Sequence, residues 1–102
     1  MTIEELYPDE VKELLEDGAP VTIIDVREKE ELETGTIPGA LHIPIGEIPF
    51  HLDALPMNAL YIIICRAGNR SGRVTAYLTS RGFRAINMAS GMLEWHGEKE
   101  FR

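Results

Sequence analysis

Apolar residues along this chain fall into two kinds of pattern. Val11, Leu14 and Leu15 recur at i, i+3 and i+4 between Asp9 and Asp17. That spacing predicts one face of an amphipathic helix, closed by Gly18 and Pro20. Ser71 to Arg81 repeats the helical spacing with Val74, Tyr77 and Leu78, and Gly82 stands at the C′ position. The second pattern is continuous. Val21 to Val26 is apolar apart from Thr22 and Asp25, and Leu60 to Ile64 has no break. Runs this short, bounded by turn residues, predict strands buried on both faces. Ala40 to Ile43, stopped by Pro44, and Ala85 to Met88 predict two shorter strands. Glu28 to Thr34 predicts a short helix with acidic residues in its first turn, ended by Gly35. Gly91 onward, with Met92, Leu93 and Trp95, predicts a last one. Residues 45–58 mix Gly46, Pro49 and Pro56 with Ile48, Phe50, Leu52 and Leu55, and read as a loop with one short helix. Met1 to Tyr7 carries no decisive pattern.

Strands alternating with helices at this spacing argue for an α/β fold with a parallel sheet covered on both faces. The 102 residues suffice for one core, so a single domain over residues 1–102 is expected. In such sheets the ligand site lies at the carboxyl ends of the strands. Cys65 and Asp25 both fall there.

Cys65 is the only cysteine in the chain. It ends the Leu60 to Ile64 run and opens the stretch Arg66-Ala67-Gly68-Asn69-Arg70-Ser71, after which the helix begins. A strand, a glycine-bearing loop and a helix in that order can curl backbone N–H groups around a sulfur and present the positive end of a helix dipole. Arg66 and Arg70 add full positive charges. All three influences favour a thiolate. A lone cysteine at a strand end is otherwise a small core hydrophobe, but such a residue needs no arginine pair and glycine beside it. Gly68 is expected at positive φ, Ser71 as the N-cap of the helix, and the sulfur at a shallow, solvent-open rim.

Composition narrows the function. The net charge of −7 excludes a general nucleic-acid binder. Its acidic excess lies in the N-terminal third and reads as solvated helix faces, Glu28, Glu30, Glu31 and Glu33 included. One cysteine leaves no internal disulfide and no Cys-x-x-Cys site. His42, His51 and His96 share no ligand spacing, so no metal and no cofactor are expected. No cationic segment followed by an apolar stretch opens the chain, and no apolar run reaches membrane-spanning length. A cytoplasmic protein without membrane contact is expected.

Four ordered segments then resemble the rhodanese-type sulfurtransferases. Cys65-Arg66-Ala67-Gly68-Asn69-Arg70-Ser71 resembles their active-site loop. Ile23-Ile24-Asp25-Val26-Arg27 resembles their strand ending in Asp-x-Arg. Residues 35–44, Gly-Thr-Ile-Pro-Gly-Ala-Leu-His-Ile-Pro, resemble their Gly-His-Ile-x-Gly-Ala-x-x-Ile-Pro segment, and Ser90-Gly91-Met92-Leu93-Glu94-Trp95 resembles Gly-Gly-x-x-x-Trp. Thr36 stands where the family usually has histidine, and Ser90 where it usually has glycine. Ser90 reads as an N-cap for the last helix.

The resemblance implies a single rhodanese-like domain with a five-stranded, mostly parallel sheet and helices on both faces. It implies that Cys65 takes a sulfane sulfur from thiosulfate or a persulfide donor, small molecule or protein, and passes it to cyanide or a thiol. Arg66, Ala67, Gly68, Asn69, Arg70 and Ser71 would bind the anionic donor. Asp25 and Arg27 read as an ion pair bracing the rim, with direct contact to the site as the alternative. Arg73 is expected at the surface, Trp95 in the core, and His42 and His51 in structural roles. A cysteine phosphatase uses a similar loop but places five residues between cysteine and arginine, where four separate Cys65 from Arg70. A non-catalytic sulfur-carrier or protein-docking module is the other alternative, and such modules typically lack the cysteine.

Overall fold

The computed structural model describes residues 2–102. Five strands form one sheet in the order β1-β5-β4-β2-β3, and every neighbouring pair is parallel. They are β1 (Glu5–Leu6), β2 (Val21–Asp25), β3 (Leu41–His42), β4 (Leu60–Ile64) and β5 (Arg84–Met88). The unbroken apolar run of β4 takes the centre, where both faces are covered, and Tyr61 to Ile64 are all buried. Side-chain alternation divides the core. Tyr61, Ile63 and Cys65 point to one face with Ile24 and Val26, under α3 (Asn69–Ser80) and the helical segment around α2 (Ile48–His51). Ile62 and Ile64 point to the other with Ile23, under Val11 of α1 (Pro8–Glu16), Met92 and Trp95.

Helix ends follow local chemistry. Pro8 begins α1, where its missing N–H costs nothing, and the Glu10 carboxylate accepts the Tyr7 N–H at 2.8 Å. At the end of α3, Gly82 at φ 90° lets its N–H reach the Thr79 carbonyl at 3.1 Å, while Phe83 N–H reaches Leu78 at 3.0 Å. That is a Schellman turn, with Phe83 tucked into the core beside Tyr61.

The elements differ from expectation in five places. Lys29–Thr34 and Gly91–Glu94 are 3-10 turns rather than α-helices, the form in which short helical connectors are often found. β3 is only two residues long, although the Ile43 and Ile45 N–H groups on either side of Pro44 still reach the Asp25 and Val26 carbonyls at 3.0 Å. β1, which has no sequence signature, pairs with β5 and supplies the Glu4 carbonyl to the Asn87 N–H at 2.9 Å. Helix α3 begins at Asn69, two residues earlier than expected, with Gly68 as its N-cap.

Register sets the rim. Asp25 lies opposite Ile64, so β2 and β4 end level and the segments leaving them meet. The last 3-10 turn closes over that meeting point. Ser90 precedes it at φ 67°, the one positive-φ residue other than glycine among the described residues, and its side chain makes no capping bond. The capping role expected for Ser90 is therefore absent, and a left-handed backbone explains why glycine suits this position. Gly91 follows at φ 63°, with Arg66 and Ala67 packed against its Cα.

Two substitutions here should act in opposite directions. Gly91→Ala would drive a Cβ onto the Arg66 carbonyl and to 2.7 Å from the Ala67 nitrogen, so urea unfolding should show a loss of more than about 2 kcal/mol. Ser90→Gly relieves the left-handed strain and should leave stability unchanged or raised by up to about 1 kcal/mol.

Candidate active site

Residues 65–71 turn sharply because Gly68 adopts φ 97°, and a Cβ there would meet the Ser90 nitrogen at 3.1 Å. The loop's peptide units are sorted by direction. The Cys65 carbonyl accepts Met92 N–H at 2.9 Å, and the Arg66 carbonyl accepts Leu93 N–H at 3.0 Å. Facing the other way, Gly68 N–H points at the Cys65 sulfur at 3.1 Å and Ser71 N–H at 3.4 Å. The Ser71 hydroxyl lies 3.1 Å from the same sulfur. Ser71 is thus not the N-cap. It is the third residue of α3, and its N–H and hydroxyl both face the sulfur while its carbonyl accepts the Thr75 hydroxyl at 2.8 Å.

The sulfur is not at an open rim. Cys65 is 1% exposed, at the bottom of the cradle. Burial pushes the thiol up, but hydrogen bonds from the Ser71 hydroxyl and from the Ser71, Gly68 and Ala67 N–H groups outweigh it and hold the group below its ordinary value. Backbone and hydroxyl donors, rather than the arginines, carry the shift.

The two arginines separate. Arg66 is exposed, as are Ala67 and Asn69, and Arg66 has no ion-pair partner among the described residues. Arg70 instead grips Glu31 with both terminal nitrogens, Nη1 at 2.6 Å and Nη2 at 2.8 Å. Arg70 foremost, through that hydrogen bond, lowers the Glu31 carboxyl from the ordinary 4.5 to about 2. Glu31 is therefore not part of a solvated face. Sequence reasoning missed it, because nothing local links it to an arginine 39 positions away.

Asp25 and Arg27 form a buried brace. Arg27 Nη2 and Nε reach the Asp25 carboxylate at 2.8 and 3.0 Å, with the pair 0% and 2% exposed. The Arg27 guanidinium also donates to the Gly35 carbonyl at 2.9 Å and the Glu31 carbonyl at 3.3 Å. Thr36, where the resemblance expects histidine, donates its hydroxyl to Asp25 at 2.7 Å and completes the cage. His42 Nε2 lies 2.7 Å from the Arg27 carbonyl. His51 lies near Glu47 at the surface, Arg73 is exposed and Trp95 is buried. A cleft of about 340 Å³ adjoins the loop, lined by Arg27, Glu31, Gly35, Arg66, Leu93 and Lys99. Among the described residues no three His, Cys, Asp or Glu side chains gather to hold a metal ion.

Asn87 was also illegible in the sequence. Its amide bridges Glu5 at 2.7 Å and the Gly68 carbonyl at 3.2 Å, tying β5 to the loop.

Alkylation of Cys65 by iodoacetamide as a function of pH should have a midpoint below the free-cysteine value of about 8.5. Ser71→Ala should raise that midpoint, and by more than Arg70→Ala does. Glu31 gives a second handle. Its carboxyl sits lower in the folded chain than in the unfolded one, so the stability it contributes is complete above about pH 4.5 and is lost as pH falls toward 2. Acid titrations of folding should show a shallower fall across that window in Glu31→Gln.

Residues 7–98 match the model of the rhodanese-like domain. The candidate sulfurtransferase YtwF of Bacillus subtilis (strain 168) is 42% identical over 98 residues, spanning 96% of this chain and 95% of its own. The thiosulfate:glutathione sulfurtransferase of Homo sapiens is 35% identical over 101 residues, spanning 84% of this chain and 87% of that protein. A rhodanese-like domain protein from Staphylococcus aureus, solved by crystallography, superposes with a TM-score of 0.91 at 39% identity over 98% of this chain and 99% of that one. The five parallel strands, the cysteine cradle at their carboxyl rim and these matches agree, and the chain belongs to the rhodanese-like sulfurtransferase family.

Proposed function

We propose that this protein is a sulfurtransferase that carries a sulfane sulfur as a Cys65 persulfide. The single observation that supports this most is the convergence of the Gly68 N–H, the Ser71 N–H and the Ser71 hydroxyl on one sulfur atom. Fixed donors of this kind favour the thiolate and offset negative charge that builds at the sulfur during transfer.

In the first half-reaction the Cys65 thiolate attacks the outer sulfur of a small anionic donor. With thiosulfate the S–S bond breaks, sulfite leaves with its electron pair, and Cys65 holds a persulfide anion. In the second, an acceptor nucleophile takes the terminal sulfur and restores the thiolate; cyanide becomes thiocyanate, and a thiolate becomes a persulfide. The name of the human relative supports thiosulfate as donor and a glutathione-type thiol as acceptor. A protein persulfide is chemically equivalent as a donor. The added sulfur lies about 2 Å beyond Sγ, which lifts the transferable atom off the buried position. Arg66 supplies the charge nearest an incoming anion, and the Asp25–Arg27 brace holds the rim. A reducing compartment such as the cytoplasm suits an unpaired thiol, and among the described residues no helix is long and apolar enough to cross a membrane.

Cys65→Ser should fold but transfer no sulfur from thiosulfate to cyanide above background, because serine forms no persulfide. Wild type incubated with donor alone should gain one sulfur atom by intact mass and lose it on adding cyanide, since the chain has no second cysteine to resolve it. Initial rates should give parallel double-displacement lines. Wild-type turnover in the serine variant, intersecting lines without a detectable persulfide, or efficient hydrolysis of an aryl phosphate would each refute the proposal.

A further inference from the structure

The placement of Glu31 bears on which donors the loop accepts. Its Oε1 receives both the Glu28 N–H at 2.9 Å and Arg70 Nη1, while Oε2 receives Arg70 Nη2. Its own carbonyl is held by Arg27 Nη1 at 3.3 Å, and Arg27 is locked to Asp25 in the core. The carboxylate is therefore fixed by the buried brace and turned onto the loop. The Glu31 hydrogen bond is the leading cause that raises the Arg70 pKa, and the Cys65 charge adds to it. Two terminal nitrogens of that guanidinium are thus committed to Glu31 rather than to a ligand. Arg66 is the loop's free cation, and Lys99 lies across the same cleft against Gly35.

We infer that Glu31 sets the donor charge this site accepts: by occupying Arg70 it removes one of the positive charges facing the donor and tunes the site to monoanionic sulfane-sulfur donors, thiosulfonates and persulfides, over dianionic thiosulfate. This rests on the sulfur-transfer reading above. A thiosulfonate reacts by the same step as thiosulfate. The Cys65 thiolate takes the outer sulfur, the S–S bond breaks and a sulfinate leaves in place of sulfite. The two donors therefore differ mainly in carrying one negative charge or two. The second charge gains from every uncompensated cation it meets, and Glu31 cancels the one that Arg70 would add to Arg66 and Lys99.

Thiosulfate and benzenethiosulfonate, compared as donors with cyanide as acceptor, isolate that charge. In Glu31→Gln the ratio of kcat/KM for thiosulfate to kcat/KM for benzenethiosulfonate should rise about fivefold, the scale of one partly exposed ion pair, and the rise should shrink with added salt. Glu31→Asp keeps the charge and should hold the ratio near wild type. An unchanged ratio in Glu31→Gln, or an equal fall for both donors as from loss of a purely structural brace, would overturn the inference. Failure of the wild type to take a sulfur on Cys65 from either donor would instead refute the sulfur-transfer reading itself.

Discussion

The site depends on the direction of a few peptide units. A loop of six residues has carbonyls as well as N–H groups to satisfy, and a sulfur ringed by carbonyls would be held as a thiol. Here the Cys65 and Arg66 carbonyls are drawn outward by the N–H groups of Met92 and Leu93, which leaves the loop N–H groups to face the sulfur. The last 3-10 turn thus polarises the loop. Close approach makes this possible, and it requires Gly91, whose Cα packs on the Arg66 peptide, and Gly68, whose φ of 97° turns the chain. The Asn87 amide bonds the Gly68 carbonyl from the side of β5 and secures the same orientation.

A second layer of polar contacts holds the opposite wall. Asp25 and Arg27 are charged and fully inside the protein, where a pair is worth little as net stability but costly to break. Its consequence is geometric. Every nitrogen of Arg27 is engaged, with Asp25, Gly35, Glu31 and Thr34, so the turn after β2 cannot drift. Thr36, standing where the family usually has histidine, fills an Asp25 carboxylate lone pair with its hydroxyl. Through Glu31, this rigid wall reaches the loop and holds Arg70. The backbone donors and the arginine pair therefore have separate surroundings. The first face the sulfur, and of the second Arg70 is paired with Glu31 while Arg66 is exposed.

Sequence alone determined the elements whose physics is local or one-dimensional. Continuous apolar runs marked β2 and β4, helical spacing marked α1 and α3, and Gly82 marked a helix end, because each rests on side-chain period or backbone freedom over a few residues. Cys65 at the foot of a glycine-bearing loop and Gly68 at positive φ were legible for the same reason: strand, glycine and helix follow one another in the chain. The four ordered motifs carried the family. Tertiary structure decided everything that required two distant segments to meet. β1 has two residues and exists only because β5 offers an edge. Ser71 looked like a cap, yet the helix starts two residues sooner and turns its hydroxyl onto the sulfur. The sulfur lies deep rather than open because the Gly91 turn folds over its loop. Glu31 looked like one acid in an acidic run, and Arg70 like a free charge, until the register of β2 against β4 brought the two residues together across 39 positions. Charge pairing and burial depend on distances in space, and those are set by sheet order and register, which no local window of the sequence contains.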